Sequence, residues 1–353
     1  MTAPLLTDKI SAPTIAPDSQ PQQPVIQFWV SIALVASVLA GAGAGLLIFL
    51  ILPIVPNDLE RTRTILMALR SPRPELHTVI FGDSVIMNGV DAGELSTERN
   101  AAMNLSSSGQ TLAESALYYQ ELPPSVTTVV QSVRLSTLVC PQSREAALKP
   151  QAANAFRVYG YKPTPDTLQL LNVLAPAESL TPLKENVLRC AIRARWILRQ
   201  WLDISARQLL RPDMDMDRAA CDLLFPSPFT RPMEPAKLKV KFNWLRRQHE
   251  HGRCTLGVNA AQSIAAARKH CERAGRRFIL LVAPVHPELD DLYEPSARNE
   301  LKQAIQSGRF GPPGTVIDAT QLLNAGDFYD EEHPGADGAH KLTRFIKQVV
   351  NES

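Results

Sequence analysis

From Ser19 to Asn57 the chain carries no Asp, Glu, Lys or Arg, and within that stretch Phe28 to Ile54 is almost wholly apolar. No other part of the sequence restricts the fold so tightly. A helix rising ~1.5 Å per residue over that run crosses a hydrocarbon core of ~30 Å with some tilt. Trp29 stands at one end, where an indole rests among lipid headgroups, and Pro53 and Pro56 stop the helix at the other. A cleaved signal peptide is the competing reading, because residues 40–45 alternate Ala and Gly. Leu46 to Ile54, however, prolongs the apolar run past the usual signal core. We expect an uncleaved single-pass anchor over 25–56, behind a disordered tail at 1–24 rich in Pro, Ser, Thr and Gln. Gly41 and Gly45 have the small-xxx-small spacing that lets membrane helices pair.

Charge flanking the anchor conflicts with an outward-facing domain. Lys9 is the only Lys or Arg before it, whereas Arg61, Arg63, Arg70 and Arg73 follow, with Asp58 and Glu60 among them. The positive-inside rule taken literally places the large domain in the cytoplasm, but large domains are translocated despite such a bias.

Over the whole chain the formal net charge is +2, which gives no electrostatic reason to expect a nucleic-acid partner. The five cysteines are scattered and form no Cys-x-x-Cys pair, so no metal site is expected. With 353 residues, 45% of them hydrophobic, the chain has material for one sizeable domain plus additions.

Beyond the anchor, Leu59, Ile65, Leu66 and Leu69 recur at helical spacing, and 57–74 reads as a short amphipathic stalk. Strands and helices then alternate. His77–Phe81, Ala101–Leu105, Thr127–Val133, Phe278–Val282 and Thr315–Asp318 read as strands, and Leu112–Tyr119, Val258–Ala274 and His340–Val350 as helices. That rhythm predicts an α/β fold with a mostly parallel sheet, built from 75–140 and 257–353. The interval 141–256 is too long for a loop and reads as a helical insertion folded over the sheet's edge or mouth. It contains a helical stretch at 183–210 with Arg189, Arg193, Arg195 and Arg199, and a second basic run from Lys237 to Arg253. Such runs are usually solvated faces; the alternative is a surface for anionic lipid headgroups or an acidic polymer.

Three stretches place polar residues where a parallel sheet binds ligands, beyond the carboxyl ends of its strands. Gly82-Asp83-Ser84 follows the first strand. Asn104-Leu105-Ser106-Ser107-Ser108-Gly109-Gln110-Thr111 follows the second. Asp330 and His333 lie three apart before the last helix. A serine hydroxyl becomes a nucleophile when a histidine takes its proton, and the imidazole needs a group that orients and stabilises it. Ser84, His333 and Asp330 supply those types. The backbone N–H groups of Ser84 and Gly109 are candidate oxyanion donors. Asp83 is suited to bracing the Ser84 loop through nearby N–H groups, and His286 reads as a structural residue.

These segments resemble the motif blocks of the SGNH (GDSL-type) hydrolase superfamily, serine esterases and acyltransferases. Gly82-Asp83-Ser84 matches the first block, Ser108-Gly109-Gln110-Thr111 the second, and Asp330-Glu331-Glu332-His333-Pro334 with Gly338 the last. The resemblance covers 75–140 and 257–350. It implies a three-layer α/β/α fold, Ser84 as nucleophile, and no cofactor. One block departs: the family's Gly-x-Asn-Asp has no counterpart in Val129–Val139, where Ser136 or Arg134 is the available replacement for the missing asparagine donor. This gap, with Leu280–Leu289 and the anchor, is similar to a membrane-tethered branch resembling bacterial alginate O-acetyltransferases and teichoic-acid D-alanylation proteins. That branch implies a domain outside the cytoplasm, a carbohydrate acceptor and an integral-membrane acyl-transfer partner. Two other functions remain open on the sequence. One is a non-catalytic assembly or carbohydrate-binding protein of the same fold. The other is a cytoplasm-facing lipid esterase.

Overall fold

Val79-Ile80-Phe81, Val129-Val130 and Phe278–Val282 are buried apolar runs, and they form the middle of a five-stranded sheet in which every neighbouring pair is parallel. The computed structural model describes residues 23–51, 58–98, 100–139, 153, 156, 160–175, 177–180, 232–249, 258–293 and 295–351. The chain divides into two compact units, Met1–Ile54 and Val55–Ser353.

The first unit contains helix α1 (Gln23–Ile51). Its segment Gln27–Gly45, 19 residues of mean hydropathy 1.8, is long and apolar enough to cross a membrane by length and composition. The Ser31 hydroxyl donates to the Gln27 carbonyl at 2.9 Å. That bond leaves this polar group satisfied within the helix, as a lipid environment demands.

The second unit opens with α2 (Asp58–Arg70), followed by β1 (Leu76–Phe81), α3 (Ser84–Gly89), α4 (Ala92–Leu95), β2 (Ala101–Asn104), α5 (Leu112–Tyr119), β3 (Thr128–Val133) and α6 (Leu135–Val139). Described helices in the insertion are α7 (Pro165–Leu174) and α8 (Pro235–His249). The unit closes with α9 (Val258–Arg273), β4 (Arg277–Val282), α10 (Pro295–Gln306), β5 (Val316–Asp318) and α11 (Ala336–Asn351). The strand order is β2-β1-β3-β4-β5. The chain therefore steps outward from β1 to β2 and returns to the other side of β1 with β3. Such a reversal opens a crevice beyond the carboxyl ends of the two strands where it occurs.

Alternation along each strand supplies two apolar faces. Val79 and Phe81, Val129 and Val133, and Phe278, Leu280 and Val282 point into one cluster. Ile80, Val130, Ile279 and Leu281 point into the other, with Leu342 and Ile346 of α11. Burying each such side chain stabilises by about 1.5–3 kcal/mol, so continuous apolar strands are what a sheet covered on both faces requires. Phe81 meets Tyr118 and Tyr119 of α5 at ring-centroid distances of 5.9 and 5.5 Å. Helix α5 starts at Thr111 in a capping box with Glu114, which satisfies two backbone donors of its first turn.

Three expectations are modified. Helix α2 does form at 58–70, but it is not a free stalk: Ile65, Leu66 and Leu69 are buried in the first cluster. An apolar stripe that suits a stalk suits a core helix equally, and periodicity does not separate them. The insertion likewise contributes core. Phe156 packs on Tyr118 and Tyr161 at 4.5 and 4.9 Å, and Leu170, Leu171 and Leu174 of α7 join the same cluster. Helix α11 begins at Ala336 rather than His340. Gly338 reads as a loop residue, yet a Cβ there would come within 2.2 Å of the Asp327 carbonyl oxygen. Its role is close backbone approach inside the first helical turn. The expected helical stretch at 183–210 lies outside the described residues.

Candidate active site

Beyond the ends of β1 and β3 the three polar segments come together. Ser84 is the first residue of α3, immediately after the β1 turn, and Asp83 caps that helix by accepting the Val85 N–H at 3.0 Å. The second segment is tied to the first through Gln110, whose side-chain oxygen accepts the Gly82 N–H at 3.0 Å and whose amide donates to the Leu105 carbonyl at 3.3 Å. Asn104 adds another tie, donating to the carbonyls of Ile86 and Val90 and accepting the Ser106 N–H. Gly109 has φ 58°, the left-handed region, in the turn before α5. Only glycine takes that conformation at low cost.

The third segment supplies the imidazole. His333 Nε2 lies 2.9 Å from Ser84 Oγ, and His333 Nδ1 lies 2.9 and 3.0 Å from the two oxygens of Asp330. Beside an ionised carboxylate Nδ1 carries the ring proton, which leaves Nε2 as acceptor for the Ser84 hydroxyl; the tautomer follows from the hydrogen bonding. Asp330 is 4% exposed and also accepts the backbone N–H groups of Glu332 and His333, at 3.0 and 2.8 Å. Burial by itself raises the Asp330 pKa. The His333 hydrogen bond and charge, with the two backbone donors, outweigh it and hold the carboxyl well below the usual range.

Two cations complete the surroundings. Arg134 joins the loop after β1 to the loop that carries Asp330 and His333: its Nε pairs with Asp83 and its Nη1 with Glu332, the latter at 2.6 Å. It follows directly on the carboxyl end of β3. Lys241, on α8, reaches Asp330 at 3.3 Å and Glu331 at 2.8 Å. Burial lowers the Lys241 pKa, but the Glu331 hydrogen bond and the two carboxylates outweigh it, and the net shift is upward. The Met233 N–H also donates to the Tyr329 carbonyl at 2.7 Å, so the end of the insertion is laced to the loop that carries the acid.

A cleft of about 120 Å³ is lined by Asp83, Gly109, Thr111, Leu112, Arg134 and Thr137, among others. Neither Ser84 nor His333 lines it; Asp83, the neighbour of Ser84 in the chain, does, and so does Gly109. Ser136, the other possible replacement donor, is half-buried on α6 and is not part of that lining. His286 is 3% exposed, accepts the Glu288 N–H at Nδ1, and packs between Phe242 and Phe328, each at 4.8 Å. It supports the acid loop by packing. Among the described residues no group of three or more His, Cys, Asp or Glu side chains could hold a metal ion.

Ser84, His333, Asp330, Asp83 and Gly109 all follow recognisable local patterns in the sequence. Lys241 and the bridging of Arg134 do not. Lys241 sits in a basic run with no local mark of its partners, and Asp330 lies 89 positions away. No model of a known protein family matches the chain, and no curated protein matches it in sequence.

Proposed function

We propose that this chain is a membrane-anchored serine esterase or O-acyltransferase of SGNH-like, three-layer α/β/α type, acting on a carbohydrate of the envelope or outside the cell. The observation that carries the reading is the continuous hydrogen-bonded path Asp330–His333–Ser84 at 2.9 Å per step. Ser84 Oγ attacks an acyl carbonyl while its proton passes to His333 Nε2. Asp330 stabilises the imidazolium, and the oxyanion accepts from the backbone N–H groups of Ser84 and Gly109. Collapse breaks the bond to the leaving alcohol, which takes the proton from His333. A sugar hydroxyl or water then enters by the reverse sequence and releases Ser84. Helix α1 supplies the anchor, with the domain outside the cytoplasm and an integral-membrane protein delivering the acyl group.

A serine-reactive fluorophosphonate tests this directly. The full chain is expected to be labelled at Ser84, and Ser84→Ala and His333→Asn are expected to lose labelling and acyl-ester turnover by at least about a thousandfold. Folded protein that stays unlabelled, or Ser84→Ala with unchanged turnover, removes the enzyme. The second reading, a non-catalytic assembly protein, draws on Arg134: where the family has a neutral oxyanion donor, this chain has a guanidinium paired with two carboxylates. Absence of labelling together with retained carbohydrate binding favours it.

A further inference from the structure

Helix α8 has two unlike faces. Lys241, Phe242 and Arg246 hold its inner side, through Asp330 and Glu331, through the His286 ring, and through the Glu288 carbonyl at 2.8 Å. The opposite side is fully presented. Val240 and Trp244, one turn apart, are 65% and 56% exposed. At 100° per residue, Asn243 and Arg247 share that stripe, and Lys237 and Lys239 flank it. All four are exposed. The helix sequence PAKLKVKFNWLRRQH holds five Lys or Arg and no acid; in the sequence an acid stands next to it at each end, Glu234, which pairs with Lys237 at 3.3 Å, and Glu250.

We propose that this outer face docks on an anionic phospholipid surface, with Trp244 and Val240 entering the headgroup boundary and Lys239 and Arg247 meeting lipid phosphates. An exposed indole beside an aliphatic side chain, ringed by cations, matches the chemistry of an interfacial helix. A purely solvated basic face has no use for the exposed Val–Trp pair. An acidic polysaccharide would use the cations and stack on the indole but leave Val240 unemployed. Where α1 spans a bilayer, lipid is present at high effective concentration, so even a shallow insertion is populated. Each basic side chain near an anionic surface adds roughly fivefold in occupancy. Because the inner face of α8 holds Asp330 and Glu331, docking would set the acid loop at a fixed place relative to lipid.

The test uses the full chain in nanodiscs whose lipids carry brominated acyl chains, which quench tryptophan only at short range. The chain has four tryptophans, so the Trp244 signal is wild type minus Trp244→Phe. That signal is expected to be quenched at least about twofold more in discs containing phosphatidylglycerol than in phosphatidylcholine alone. It is expected to lose the difference in the double variant Lys239→Glu, Arg247→Glu, and at ~1 M salt, where screening acts within ~3 Å. Equal Trp244 signals with and without bromine in the anionic discs overturn the proposal. So does a Trp244 signal shielded from iodide by a soluble polyuronate but untouched by lipid. Ser84 labelling plays no part in the readout, so this result stands or falls separately from the enzyme.

Discussion

A carboxylate as enclosed as Asp330 keeps its charge only because four donors converge on it: His333 Nδ1, the N–H groups of Glu332 and His333, and the Lys241 ammonium. Asp330→Asn retains the shape and removes the charge. The imidazole then loses the partner that fixes its tautomer, and Ser84 labelling is expected to fall by about 10³–10⁴. The same carboxylate links folding to pH. Its folded-state pKa is depressed below the ordinary ~3.9, so its ionised form stabilises the fold above that value. The contribution declines as pH falls below ~4 towards the folded-state value. Urea unfolding of wild type and Asp330→Asn at a series of pH values checks this. The stability gap between them is expected to narrow as pH drops from about 4 to about 2, and a gap that widens there contradicts the assignment.

Helix α8 shows what an element contributes that its sequence does not announce. Lys241→Met keeps an unbranched stem but leaves Asp330 and Glu331 without the Lys241 cation. Its side chain is 38% exposed, so the loss in stability is expected to stay within ~1 kcal/mol. Acyl turnover, or the rate of Ser84 labelling, is expected to drop about tenfold, with Lys241→Arg restoring most of it. A variant equal to wild type in rate assigns Lys241 to the surface alone. The contrast with the strands is instructive. β1, β3 and β4 are apolar runs ended by turn residues, and their limits lie within a residue or so of those the sequence implies. The Asp330–His333–Ser84 path is legible for the same reason: each of the three sits in a local pattern whose chemistry is contained in a few neighbours. Lys241 and Arg134 act on partners far along the chain, and α2 and α7 bury stripes that read the same on a stalk or a cap. Those facts depend on tertiary pairing, which periodicity and spacing do not encode.

At the scale of the whole chain, the division at Ile54/Val55 separates two kinds of stability. The first unit's α1 has an apolar surface that is 0% buried over its membrane-length window, so it depends on what surrounds it. The second unit carries both faces of its sheet covered by its own side chains, with α2 already committed to that core at Ile65, Leu66 and Leu69. A chain beginning at Val55 therefore retains every described contact of the core and of the Asp330–His333–Ser84 path. It is expected to be soluble without detergent, to unfold cooperatively, and to label at Ser84 at the full-length rate within about twofold. Cys271 supplies an internal gauge of that fold. Burial raises its thiol pKa to about 12, so a maleimide should leave it unmodified until the core opens. Beginning the chain at Ser71 instead removes α2 and, with Ile65, Leu66 and Leu69, part of the first core cluster. Early maleimide reaction of Cys271 and loss of Ser84 labelling are expected in that shorter chain and not in the one that starts at Val55. If the two truncations behave alike, α2 is a dispensable stalk after all, and its burial in the core is not what keeps Cys271 shielded.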